Sequence, residues 1–272
     1  MTGTGKLMAG KRGLVMGIAN DHSIAWGIAK TLGEHGAEMA FTYQNENFGK
    51  RLQPLADSVG SSLMVPCDVS DRDSMDNVFA MLKTVWGGLD FVVHALAYSD
   101  KEELKGRFLD TTRENFLNTM DISCFSLNEI ARRAAPLMEN GGAIVTLTYM
   151  GAVKVMPDYN VMGVAKAALE ASVRYLAADL GPQGIRVNAI SAGPMRTLAG
   201  SAIGSARYVY RTAREHAPLR RNVDLENLGG AGLYLLSDLS AGTTGEIHYV
   251  DAGYNIIGMP HPDMLNGSDT ED

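Results

Sequence analysis

Seven short apolar runs punctuate this chain, with amphipathic stretches of helical period lying between them. The runs fall at 12–17, 38–43, 62–67, 91–96, 143–147, 186–190 and 246–250. Most are continuously apolar rather than alternating, the pattern of strands covered by helices on both faces. The helical patterns fall near 24–35, 46–58, 71–86, 112–138, 158–180, 205–216 and 224–237. Such alternation folds into an α/β, doubly wound parallel sheet, here of seven strands flanked by helices. No linker, repeat or low-complexity segment interrupts it, so residues 1–272 are expected to form a single domain with its core over about 7–259. Residues 1–6 and the acidic tail 266–272 lack apolar anchors and are expected to be loose.

Charge and cysteine usage narrow the function classes. A formal charge of −7, from 24 basic and 31 acidic residues, argues against a general nucleic-acid binder. The two cysteines, Cys67 and Cys124, have no metal-ligand spacing and no case for a disulfide framework. They read as small core residues in a reducing compartment, and no metal site is expected. No apolar run reaches the roughly 18 residues of a membrane span, and no signal peptide opens the chain. A cytoplasmic protein without membrane partners is the expectation.

The chemistry gathers where strands end. Strand one runs into Gly17-Ile-Ala-Asn-Asp-His-Ser23-Ile24. A glycine here lets the backbone approach a pyrophosphate, and the following helix N-terminus offers free N–H groups. The G-x-G-x-x-G fingerprint is incomplete, with no glycine at 19 or 22, so a plain strand-to-helix turn competes. Strand two ends in Thr42-Tyr43-Gln44. Gln44 is neutral and has no arginine beside it to accept a 2′-phosphate, which favours NADH over NADPH. Strand three ends in Cys67-Asp68-Val69, an acid and an apolar residue suited to an adenine amine and ring. For Asp68 the competing role is an N-cap of the next helix. Strand four ends in small residues, His94-Ala-Leu-Ala-Tyr98, where a nicotinamide half would pass. All four ends agree with one dinucleotide in a Rossmann-type fold.

The segment Tyr159-Asn-Val-Met-Gly-Val-Ala-Lys166 supplies the reactive groups, with Tyr149 ten residues upstream of Tyr159. Seven helical residues make roughly two turns, placing Tyr159 and Lys166 on one face about 10 Å apart along the axis. A phenol can then reach a substrate while the ammonium reaches the cofactor beside it. With Phe41-Thr-Tyr-Gln44, Ile190-Ser-Ala-Gly-Pro-Met-Arg-Thr-Leu-Ala199 and Ser237-Asp-Leu-Ser-Ala-Gly242, these motifs identify a resemblance. The chain resembles the bacterial NADH-dependent enoyl-acyl-carrier-protein reductases of the short-chain dehydrogenase/reductase superfamily, over about residues 7–259. Superfamily members acting on ketones have lysine four residues after the tyrosine, but position 163 here is glycine.

The resemblance implies an enzyme that reduces the trans-2 double bond of enoyl thioesters with NADH in fatty-acid elongation. Carried over by position, Gly17, Ser23 and Ile24 would meet the cofactor phosphates and ribose. Gln44, Asp68 and Val69 would frame the adenosine, with Leu96 beside the centre. Met195, Arg196, Thr197, Leu198 and Ala199 would close over the pyrophosphate and nicotinamide amide. Lys166 would hold the nicotinamide ribose, while Tyr149, Tyr159 and Ser99 would meet the substrate. Where the family shows Ser-Ile-Gly after His94, this chain has Ala95-Leu96-Ala97, a change that bears on pocket shape.

Residues 194–204 are small and glycine-containing, suited to a lid, with a passive loop as the alternative. Arg207, Arg211 and Arg214 form one basic helix face that could dock an acidic acyl carrier protein. The resemblance further implies a homotetramer, with helices 112–138 and 158–180 as interfaces. The competing functions are a reductase of another enone or ketone and a cofactor-binding regulator with little turnover.

Overall fold

A computed structural model describes residues 6–201 and 204–260, with Ala199 and Ser201 as backbone only. The acidic tail at 266–272 lies outside the described residues. Strands β1 (Arg12–Met16), β2 (Glu38–Tyr43), β3 (Leu63–Pro66), β4 (Phe91–His94), β5 (Gly142–Thr148), β6 (Ile185–Ala192) and β7 (Ile247–Val250) form one sheet. Its order is β3-β2-β1-β4-β5-β6-β7, with every pairing parallel. The order reverses between β1 and β4, and ligands of such sheets sit at the carboxyl ends beside that reversal.

Helices α1 (Ile24–Glu34), α2 (Glu46–Ser58), α3 (Arg72–Trp86), α4 (Arg113–Met120), α5 (Ser126–Ala134), α6 (Asn160–Leu180), α7 (Leu198–Ser201), α8 (Ala206–His216) and α9 (Leu225–Leu236) complete the described fold. Continuous apolar strands follow from the two cores. Leu14, Met16, Val92 and Ile144 pack with α3, α5 and α6 residues such as Val78, Ile130 and Leu169. Val15, Phe91, Val93 and Val145 point the other way, against Ile28, Leu52 and Leu235 of α1, α2 and α9. Successive side chains alternate between faces, and both faces are dry.

Four of the nine described helix starts are written locally. Asn45, Asp71, Thr112 and Asp224 cap α2, α3, α4 and α9 through their side chains, and Asp224 forms a reciprocal capping box with Asn227. The cap of α3 therefore belongs to Asp71, which frees Asp68 for another role. The helix expected over 112–138 is interrupted instead by a π-helical turn at Asp121–Phe125. That turn aims Ser123 at the segment after β4: Ser123 Oγ accepts from the Tyr98 N–H and donates to the Tyr98 carbonyl, both at 3.0 Å.

Candidate active site

The carboxyl ends of β1, β2, β4, β5 and β6 open into a cavity of about 1460 Å³. Gly17 lies at its floor with φ +95°, and a Cβ there would sit 2.0 Å from the Ala95 carbonyl oxygen. Only glycine can make this turn and leave the backbone exposed to a ligand phosphate. Ser23 does not line the cavity. Its hydroxyl accepts the N–H groups of Ala19 at 3.0 Å and Asn20 at 3.2 Å, organising the loop that Gly17 begins.

Beyond the ends of β2 and β3, Gln44 and Val69 line the cavity together with Phe48, which sequence reasoning missed. Asp68 stands just behind them. One carboxylate oxygen accepts the Ser70 N–H at 2.9 Å, and the other accepts from the Gln44 side-chain amide at 3.3 Å. Gln44 is thereby oriented across the ends of β2 and β3 by a carboxylate, a setting hostile to a further phosphate.

Leu96, Ala97 and Tyr98 edge the central part of the cavity. Their base is rigid. His94 is fully buried, with Nδ1 2.7 Å from Thr146 Oγ1 and Nε2 2.8 Å from Ser126 Oγ. The Ser126 hydroxyl donates to the Ile122 carbonyl, so it accepts from Nε2–H, which leaves Nδ1 to accept from Thr146. Burial, with Lys166 nearby, pushes the His94 pKa down to about 3 and keeps the ring neutral. Ser99 is turned away from the cavity. Its hydroxyl accepts from Thr119 at 2.8 Å and donates to Asn115 at 3.3 Å, tying the loop to α4.

Tyr149, Tyr159 and Lys166 converge on the cavity. Tyr159 is not within a helix, as the pattern over 158–180 suggests, but caps α6. Its neighbours Asp158 and Asn160 adopt φ +52° and +32°, and residues of their type tolerate such backbone best. Asn160 is also bound through its side chain to the carbonyls of Glu103 and Lys105. The two tyrosine rings meet edge to face, centroids 5.2 Å apart. A Cβ at Gly163 would lie 2.9 Å from the Gly151 carbonyl oxygen, so this packing has no room for a lysine there.

Burial raises both phenols above their ordinary range, so each remains a proton donor at neutral pH. The Tyr149 hydroxyl is buried yet has no hydrogen-bond partner among the described residues. Such an orphan costs about 1–3 kcal/mol, and an acceptor arriving in the cavity would recover it. Lys166 is also buried; its Nζ donates to the Leu147 carbonyl at 2.9 Å. Burial lowers its pKa to about 8, against the opposing pull of Cys124 and Glu170.

A second wall runs from Met195, Arg196, Thr197 and Leu198 into Arg207, Tyr210, Arg211 and Arg214 of α8. The Arg196 guanidinium stacks 4.6 Å above the centre of the Tyr210 ring. The side chain of Ala199 and residues 202–203 of the expected lid lie outside the described residues. Leu104, Met156 and Met162, also unforeseen, add an apolar lining beside Tyr159. Met156 and Met162 flank Tyr159 in sequence, but their shared direction depends on the turn before α6.

Comparison with known proteins agrees with this architecture. Residues 17–255 match the family model described as enoyl-(acyl carrier protein) reductase. Enoyl-[acyl-carrier-protein] reductase [NADH] 2 of Rhizobium meliloti is 63% identical, over 97% of this chain and 99% of its own. The crystal structure of FabI from Candidatus Liberibacter asiaticus superposes with a TM-score of 0.92 at 58% identity, over 94% of this chain and 99% of that one. The enoyl-(acyl-carrier-protein) reductase of Anaplasma phagocytophilum, solved in complex with NAD, gives a TM-score of 0.92 at 61% identity, over 95% and 98%. By sequence and fold, the chain belongs to the enoyl-acyl-carrier-protein reductase family.

Proposed function

We propose that this chain reduces the trans-2 double bond of enoyl-acyl-carrier-protein thioesters with NADH, the last reductive step of a fatty-acid elongation cycle. The single observation that carries the assignment of roles is the buried Tyr149 hydroxyl, without a partner among the described residues, beside Tyr159 in the cavity that Lys166 also lines. Bound NADH supplies the hydride that adds to the β-carbon of the enoyl group. As it adds, negative charge gathers on the thioester oxygen as an enolate, and the α-carbon then takes a proton, from Tyr159 or from water, to complete the reduction. Tyr159 and Tyr149 donate hydrogen bonds to the enolate oxygen from fixed positions, and such donors are worth most in a dry, preorganised site.

Lys166 has one N–H committed to Leu147 and offers the others to the nicotinamide ribose, aligning donor and acceptor carbons. Gly17 admits the pyrophosphate to the backbone, Ile24 and Leu96 pack along it, and Met195–Thr197 close over it. Gln44, oriented by Asp68, reads the adenosine ribose, with Val69 against the base. Ser23 acts from beneath, by shaping the loop, and Ser99 by holding the rim.

Arg207, Arg211 and Arg214 stand exposed at the cavity mouth and would receive the acidic carrier protein. Glu215 lies 4.0 Å from Arg211 and 3.9 Å from Arg214, a weak neutralisation that leaves the face basic. The enzyme works as a cytoplasmic homotetramer in this reading. Exposed Leu117 and Phe125 of the α4–α5 segment, with Val164 and Tyr175 of α6, support those helices as its interfaces. Among the described residues, no helix is long and apolar enough to cross a membrane.

The test is NADH oxidation with a trans-2-enoyl thioester beside a matched 3-ketoacyl thioester and an NADPH control. Rapid oxidation with the enoyl substrate and NADH alone is expected. Activity confined to the ketone would overturn the substrate assignment, and binding of NADH without turnover would favour a regulatory protein.

A further inference from the structure

Beside the reactive Lys166 lies a buried carboxyl group, Glu170. Glu170 is on α6 one turn beyond Lys166, the i, i+4 spacing that brings side chains to about 5–6 Å between Cβ atoms. Both residues are almost completely buried, with 5% and 6% exposure. Glu170 also reaches the sheet, where one of its oxygens accepts the Thr148 hydroxyl at 2.8 Å. Thr148 stands between Leu147, whose carbonyl receives Lys166, and Tyr149. One carboxylate thus touches the strand end that carries both contacts.

We infer that Glu170 is a positioning residue for the reduction: it is the counter-charge of Lys166 and the anchor, through Thr148, of the strand end that presents Tyr149. A buried ammonium without an anion beside it tends to shed its proton. Two groups oppose the loss at Lys166, Cys124 and Glu170. Burial raises the Cys124 thiol above its ordinary range, so it carries no charge at neutral pH. His94 is held neutral, and the buried Tyr159 phenol stays protonated. Facing Glu170 are Arg174 on its own helix and Tyr249 of β7, whose phenol burial also keeps protonated. Burial raises Glu170 as well, while Thr148, Arg174 and Lys166 favour its charged form. Among these groups Glu170 is the one carboxyl, so it is its charged form, favoured by Thr148, Arg174 and Lys166 against burial, that would answer Lys166.

The sign of the test follows. Lys166 is needed protonated, so NADH affinity and kcat/KM fall as pH rises through its pKa of about 8. Glu170→Gln keeps an acceptor for Thr148 and removes the charge. Its alkaline midpoint should move down by about one pH unit. Thr148→Val keeps both charges and breaks the anchor; turnover should fall several-fold with the alkaline midpoint in place. It also keeps the anchor testable if Glu170→Gln does not fold.

A Glu170→Gln profile superimposable on the parent, or a Thr148→Val enzyme of parental turnover, would overturn the inference. It rests on Lys166 as the ribose anchor, so Lys166→Met belongs in the same NADH titration. Weakened NADH binding there, with an unshifted Glu170→Gln profile, overturns the role of Glu170 alone. Unchanged NADH binding in Lys166→Met removes both assignments together.

Discussion

The wall bearing Tyr149, Tyr159 and Lys166 and the wall formed by Met195–Thr197 and α8 line one cavity, yet different forces fix them. On the first, every reactive group is buried and its surroundings are bound to the sheet: Lys166 to Leu147, Thr148 to Glu170, His94 to Thr146. On the second, Arg196, Arg207, Arg211 and Arg214 are exposed, and their contacts are a ring stack and long ion pairs. A developing charge needs donors that do not reorganise, which the first wall provides. In the proposed reading the second wall admits an acyl chain and its carrier, and a wall with that task has to yield. The difference predicts that mutations on the first wall act on turnover and cofactor affinity, and those on the second on entry.

The largest effect should come from the buried wall. Tyr159→Phe removes an oxyanion donor without opening a cavity, and kcat should fall about 100-fold or more while NADH affinity changes little. Equal losses in kcat and NADH affinity, measured by steady-state rates and cofactor titration, would show that the phenol acts by holding the cofactor. Next comes Gly17→Ala. Its methyl would lie 2.0 Å from the Ala95 carbonyl at φ +95°, and the strained turn should cost roughly 1–3 kcal/mol. NADH affinity should drop at least tenfold by titration, with a lower Tm by calorimetry. Normal affinity would mean that the loop can rebuild its phosphate cradle.

How much of this was legible in the sequence follows the same division. The seven strands were readable because most are apolar on both faces, and Leu14 and Val15 enter opposite cores as that pattern demands. The π-helical turn at Asp121–Phe125 was not, because the helical period continues on both sides and one extra residue changes only its phase, over pieces too short to reveal the shift. Tyr159, Lys166 and Gly17 were readable from spacing and from the one residue type the turn permits. The directions of Ser23 and Ser99 were not, since each hydroxyl is claimed by groups that meet it only in the folded chain. Glu170 stood in the sequence four residues after Lys166, but its meaning depends on Thr148, which arrives from another element. Spacing along one helix is written locally; partnership across the sheet is not.

On the yielding wall, reversing Arg207, Arg211 and Arg214 to glutamate should raise KM for a carrier-linked enoyl substrate about tenfold, by loss of electrostatic complementarity. A small enoyl thioester should be unaffected, and the carrier effect should shrink with added salt. Equal changes for both substrates would place the arginines inside the acyl pocket and erase this part of the contrast.

The smallest effect concerns the stack of Arg196 on Tyr210, which joins the loop after β6 to α8. An exposed cation over an aromatic ring is worth little, so Tyr210→Leu should change KM for the enoyl substrate by only roughly two- to fivefold. Its direction is the informative part. If the stack holds the two segments together over the acyl chain, its loss should raise KM and speed product release, leaving NADH affinity as it was. Pre-steady-state turnover separates these steps, because faster release enlarges the steady-state rate relative to the first turnover. A fall in NADH affinity would instead make Arg196 part of the cofactor's own enclosure. The second wall would then be as fixed as the first where it meets the cofactor, and yielding only farther out, along α8.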